Sequence, residues 1–442
     1  MDWLLRHFKG SDLKVELLKG ATGTAFLKVS NTVLTMGVGV LLARLLGPED
    51  YGVYAYVLSI ITLLGLPTKA GLPTLVIRET AMYQLQEKWA LLRGLLVLSN
   101  GFVIGFSILV ALISGIIISQ GWFTFDNVSS NIFLWSLWLL PLIAFGNLRG
   151  ATLKGLRKVV IGQLPEELIR PLFLIILLFS SLVLGISIDS KIAMQFTVVA
   201  ALIAFIVGAV LLSRHIPKEV RSTVPNFQLS MWISSLIPLS LITGIQIINA
   251  QVGTVVLGSL GLNEDIGLLK VATSAAMLAS TTLMMFNTVL APHIVRLWKQ
   301  EQYDKLTRML KLTARGSFVV TLFVCIILYI WGREIIELLF GVEFSGSYAA
   351  LVILLIGQIV STAVGSVGLI LKQLNLEKKV LIASILSLVL NFVFCVVLAP
   401  LYGMIGIAVS YAVSIAIWNL LNWYFALKHA NLDCSIVGLK RR

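Results

Sequence analysis

The sequence predicts an all-α, polytopic membrane protein: twelve transmembrane helices in two six-helix lobes, with both termini in the cytoplasm. Three observations predict it. The 442 residues are 58% hydrophobic and 12% charged, with a mean hydropathy of +0.96, about half the charge of a soluble domain. Twelve apolar stretches are long enough to cross a bilayer core, which takes about 20 residues. Of the 34 Lys and Arg side chains, 28 fall in alternate connecting segments, on one side of the spans. So long a chain with so few charges cannot cover a water-facing surface, which excludes the soluble enzyme classes. Cys325, Cys395 and Cys434 lack metal-ligand spacing and read as core residues.

Taken in order, residues 1–20 scatter charge and lack a continuous apolar run, so they do not read as a signal peptide. Trp3, Leu4, Leu5, Phe8, Leu13 and Leu17 recur at helical spacing between basic residues, as in an amphipathic helix on an anionic leaflet. The spans follow at 21–43, 53–76, 95–119, 131–150, 167–187 and 192–213, then 231–258, 267–291, 316–340, 347–371, 380–399 and 403–427. Pro67, Pro73, Pro141, Pro171 and Pro238 fall within spans, where they often mark cavity-lining breaks. With the N-terminus inside, Arg44, Lys191, Lys270 and Arg333 lie at or near the outer side, while Lys28 and Lys69 lie within spans. This positive-inside bias accounts for the +13 charge and removes the nucleic-acid reading.

Two echoes point to a duplication. Leu46, Gly47, Glu49, Asp50 and Gly52 open span two, as Leu260, Gly261, Glu264, Asp265 and Gly267 open span eight. LKGLRKVV from Leu153 is echoed by LKQLNLEKKV from Leu371. The domains expected are a 1–20 amphipathic segment, a 21–213 lobe, a 214–230 cytoplasmic linker, a 231–427 lobe and a basic tail at 428–442. The two lobes are then parallel repeats about an axis along the membrane normal.

The polar residues inside the spans are the candidates for function. Every acidic residue reads as lying in a terminus, a loop or a span end, which argues against cation coupling. Thr24, Lys28, Asn31 and Thr35 form one stripe on span one. Ser59, Thr62 and Lys69 share a face of span two. The two lysines lie at matched depth, about 12–14 Å from the inner end at 1.5 Å per residue. Without a carboxylate partner they point to an anion such as a pyrophosphate; snorkelling to the interface is the alternative. Gln246 and Asn249 on span seven suit sugar hydroxyls, against plain helix–helix hydrogen bonding. Lys270 on span eight reads equally as an outer anchor of the cavity or an interfacial lysine. The four histidines lie in loops or termini, and HExxH, DxD and GxxxxGK[ST] are missing, so neither catalysis nor a cofactor nor ATP hydrolysis is expected.

The pattern LLARLLGPEDYGVYAY, GLPTLVIRETA, LRGATLKGLRKVVIGQLPEELIRP and INAQVGTVVLGSLGLNEDIGLLKVA resembles the Wzx-type O-antigen and polysaccharide flippases. These belong to the MOP superfamily, with the MATE exporters and the lipid II flippases. The resemblance runs over essentially the whole chain. It implies alternating access and transfer of undecaprenyl-pyrophosphate-linked oligosaccharide from the cytoplasmic to the periplasmic leaflet of a bacterial inner membrane. A polysaccharide polymerase and a chain-length regulator are the implied protein partners. The alternative in the same superfamily is a MATE-like, cation-coupled drug exporter. The chain departs from the pattern in reading Gln251-Val252-Gly253 where members often carry an acid. It also has twelve expected spans where lipid II flippases tend to have fourteen.

Overall fold

The computed structural model describes residues 10–69, 71–119 and 127–436. The side chains of the expected 1–20 amphipathic segment all lie outside the described ones, and its first nine residues lie outside the described residues altogether. Every regular element among the described residues is helical. The order begins with α1 (Gly10–Leu64), α2 (Leu66–Lys69), α3 (Leu72–Leu85), α4 (Trp89–Ser119), α5 (Asn127–Ser136) and α6 (Leu139–Gly155). Next come α7 (Val159–Leu164), a π turn (Pro165–Ile169), α8 (Arg170–Val183), α9 (Ser190–His215) and α10 (Lys218–Ser222). The remainder is α11 (Leu229–Ser259), α12 (Asn263–Lys299), α13 (Tyr303–Ile330), α14 (Gly332–Phe340), α15 (Ser347–Val364), α16 (Val367–Gln373) and α17 (Glu377–Ala430).

Among the described residues, seven helical segments are long and apolar enough to cross a membrane, so this is a multi-pass membrane protein. Two of the helices are far too long for one crossing. α1 has 55 residues and α17 has 54, or about 80 Å each at 1.5 Å per residue, against a core of about 30 Å. Each is broken at one glycine. Gly47 (φ 71°) precedes Pro48, and Gly403 (φ 53°) follows Pro400, so a left-handed residue and a missing N–H coincide at the bend.

The turns carry the duplication further than the two echoes do. Left-handed backbone occurs at Gly47 and Gly261, and at Glu87 and Glu301, each pair 214 residues apart. It occurs again at Arg157 and Asn375, and at Gly185 and Gly403, each pair 218 apart. The hydrogen bonds repeat as well. Lys158 N–H donates to the Leu153 carbonyl and Leu376 N–H to Leu371, both at 2.8 Å. Lys88 N–H donates to Tyr83 at 2.9 Å and Gln302 N–H to Leu297 at 3.0 Å. In each case the helix ends through a six-residue closure around one left-handed residue.

The described chain forms two compact units. The first holds residues up to Leu42 and Ile61–Gly244; the second holds Ala43–Ile60 and residues from Ile245 onward. In the first, Leu72, Leu75, Tyr83, Leu92, Leu95, Leu148 and Trp232 build the core, and Trp232 Nε1 donates to the Tyr83 hydroxyl at 2.8 Å. The polar stretch after α9 does not hang free there. Val220 is buried, Asn226 N–H donates to the Ala90 carbonyl at 2.9 Å, and Arg93 Nη1 donates to the Arg221 and Thr223 carbonyls.

In the second unit the two halves of the first echo meet. A side chain at Gly52 would strike the Asn263 backbone, and one at Gly267 would strike that of Pro48. These contacts are each other's counterparts at an offset of 215 residues, so the repeated segments pack about a local pseudo-two-fold. Arg44, read from sequence mainly as a topology signal, donates to the Leu338 and Leu339 carbonyls at the end of α14. Cys325, Cys395 and Cys434 are free and buried, as their settings imply.

A candidate anion site in each unit

In the first unit the chemistry gathers around the π turn. Pro165 cannot donate a backbone hydrogen bond, and the helix widens there to a π turn, a feature frequent at functional sites. The wider turn presents Glu166 and Glu167. Glu166 pairs with Arg170 at 3.1 Å and lies within electrostatic reach of Lys69, as does Arg170. Glu167 accepts from Asn31 Nδ2 through its backbone carbonyl at 2.8 Å. Its carboxylate interacts with Lys154, which also feels Lys28. Glycines make the room: a side chain at Gly146 would strike the Glu166 carboxylate, and Gly150 and Gly162 would strike each other's carbonyls. Small residues of this kind let membrane helices approach closely.

This corrects the expectation that Lys69 has no acid near it. Residues 151–166 read as a charged loop, yet helix resumes at Val159 and carries Glu166 to Lys69 and Glu167 to Lys154. The balance stays cationic, with Lys28, Lys69, Lys154 and Arg170 against Glu166 and Glu167. The presence of Glu166 also removes the sequence argument that cation coupling is disfavoured for want of an acid. Of the other expected residues, Thr24 and Thr62 are half-buried, while Lys28 and Thr35 are exposed. Lys154, Glu166, Glu167 and Arg170 escaped the sequence reading, although the two prolines flanking Glu-Glu-Leu-Ile-Arg were a usable signal.

In the second unit a cavity of about 440 Å³ lies among α11, α12 and α17. Gln246, Asn249 and Lys270, all expected from sequence, line it together. Thr273 lines it too, as do Ser384, Ser387, Tyr411, Ser414 and Trp418, and these last five the sequence reading did not assign to a site. The wall is held by its own hydrogen bonds. Asn391 Nδ2 donates to Asn249 Oδ1 at 2.8 Å, Trp418 Nε1 to Ser384 Oγ at 3.0 Å, and the Tyr411 hydroxyl to the Ala250 carbonyl at 3.0 Å. Ser387 and Ser414 share a 2.7 Å hydrogen bond. Lys270 is the only cation lining this cavity, and it takes part in none of the ion pairs among the described residues. A lone ammonium amid hydroxyls, amides and two aromatic rings suits an anion that also carries hydroxyl groups.

Helices of membrane-crossing length and duplicated turns define a multi-pass membrane protein with the fold of the MOP-type transporters. A MATE multidrug transporter in an inward-facing conformation is similar, with a TM-score of 0.72 at 14% identity over 89% of this chain and 93% of that one. The lipid II flippase MurJ in an inward closed conformation gives 0.70 at 14% identity, over 90% of this chain and 86% of that one. A MOP superfamily transporter from Pyrococcus furiosus, reported to have a binding pocket of reverse polarity, gives 0.61 at 13% identity over 93% and 94%. No curated protein sequence matches. Residues 17–298, more than half of the chain, match the family of polysaccharide biosynthesis proteins, and the chain belongs to that family.

Proposed function

We propose that the protein is a flippase that carries undecaprenyl-pyrophosphate-linked oligosaccharide from the cytoplasmic to the periplasmic leaflet of a bacterial inner membrane. Twelve spans with both termini inside, in lobes at 21–213 and 231–427, are the topology this reading assumes. The observation that carries it is Lys270, in no ion pair among the described residues, in a cavity walled by Gln246, Asn249, Thr273 and Trp418. A cavity for a cationic drug would place a carboxylate there. The ammonium suits a phosphate oxygen, and hydroxyls, amides and an indole suit sugar edges and faces.

The net-cationic cluster of Lys28, Lys69, Lys154 and Arg170 supplies a second station for the pyrophosphate in an alternating-access cycle. A potential negative inside favours outward movement of the anion by about 2.3 kcal/mol per charge per 100 mV, or roughly 4–5 kcal/mol for two charges. The family match to polysaccharide biosynthesis proteins supports the glycan part of the reading. Complementation of a flippase-deficient strain tests it. Wild type is expected to restore surface glycan, and Lys28→Ala/Lys69→Ala and Lys270→Ala are expected to lower it at equal protein level. Drug efflux without glycan display would identify a MATE-like exporter instead.

A further inference from the structure

Three arginines line one groove of the first unit, and none of them is in an ion pair among the described residues. A groove walled by α4, α6, α9 and α10 holds two cavities of about 390 and 560 Å³, which share Leu96, Asn100 and Ile216. Arg149 lines the first, and Arg93 and Arg221 the second. Each guanidinium spends one nitrogen on the backbone: Arg149 Nη1 on the Phe205 carbonyl at 2.9 Å, Arg93 Nη1 on the Arg221 and Thr223 carbonyls, and Arg221 Nη2 on the Ser213 carbonyl. Arg149 is also laid over the Phe205 ring, 3.7 Å from its centroid. The remaining nitrogens have no carboxylate partner among the described residues. Glu219, on α10 beside Arg221, is exposed and lines neither cavity.

The groove runs along the helix from Arg93 to Asn100 and Ile104, about 16 Å at 1.5 Å per residue. Beyond it both walls turn apolar. Ile104, Ile108 and Leu112 form one exposed face of α4, and Ile206 and Val210 one of α9. Positively charged pockets opening onto apolar helix faces at one end of membrane spans recognise lipid phosphates.

The geometry points to a resident binding site for an anionic phospholipid, with its phosphodiester on Arg93 and Arg221, the rest of its polar headgroup extending toward Arg149, and its acyl chains along α4 and α9. The site holds the end of α9 and the segment after it against α4. It stands apart from the flippase reading, because occupancy is read without any transport.

The test uses the full chain, delipidated in neutral detergent, with phosphatidylglycerol, phosphatidylcholine, undecaprenyl phosphate and inorganic phosphate as probes. Native mass spectrometry and the thermal midpoint report binding. Phosphatidylglycerol is expected to bind about tenfold or more tighter than phosphatidylcholine. Arg93→Gln/Arg149→Gln is expected to abolish that preference, and Arg221→Gln, which leaves the Phe205 stacking intact, to reduce it. An unchanged preference in folded Arg221→Gln and in the double variant would overturn the assignment. So would displacement of phosphatidylglycerol by inorganic phosphate, or tighter binding of undecaprenyl phosphate.

Discussion

Lys270 and Lys69 are both cations on apolar helices, yet their surroundings give them different work. Lys69 shares its site with Glu166 and Arg170, so its removal leaves a partly compensated cluster. Lys270 is alone among the cavity's lining residues. Lys270→Ala is therefore expected to weaken binding of a pyrophosphate-bearing lipid about tenfold or more, the worth of one charge-assisted contact. Lys270→Arg is expected to keep most of it, which titration of the purified protein would check. Lys270, Gln246 and Asn249 were legible in the sequence because polar residues inside apolar helices are rare and costly. Glu166 was not legible. Its placement depends on where helix resumes after Gly155, and a hydropathy window blurs a charged helix start into a loop. Lys154 and Arg170 were lost for the same reason.

Elements here are positioned by glycines where backbones touch. Gly52 and Gly267 abut Asn263 and Pro48, so even a methyl group forces the repeated segments apart. Gly267→Ala is expected to cost about 1–3 kcal/mol as overpacking, read as a lowered thermal midpoint. Gly115→Ala, which meets open space, is expected to leave the midpoint unchanged or raised. The π turn gives a second test. Glu166→Gln keeps the shape but removes one of two negative charges facing four positive ones. Tighter binding of an anionic probe is expected; loss of transport with unchanged anion binding would point to Glu166 as a coupling acid. At this scale the sequence told a good deal. The Leu-Gly and Leu-Lys echoes located two pairs of turns, and the structure shows four. The Glu87 and Glu301 pair went unseen because only the Gln-Glu dipeptide is shared.

For the molecule as a whole, composition and charge placement were enough to read an all-helical membrane protein, since no other class tolerates 12% charge over 442 residues. The compact units were not legible, because Ala43–Ile60 joins the second unit through contacts with Asn263 and Gly267 that lie more than 200 residues away. A pyrophosphate-bearing cargo, as proposed, would make the cycle sensitive to voltage. In proteoliposomes, a potential negative on the loading side is expected to speed transfer, and collapsing it with an ionophore to slow transfer. The most direct measurement is leaflet transfer of an undecaprenyl-pyrophosphate-linked oligosaccharide by reconstituted wild type and Lys270→Ala. The account predicts transfer by the wild type and at least about a tenfold slower rate in the variant. Equal rates, with both proteins folded and equally inserted, would contradict it.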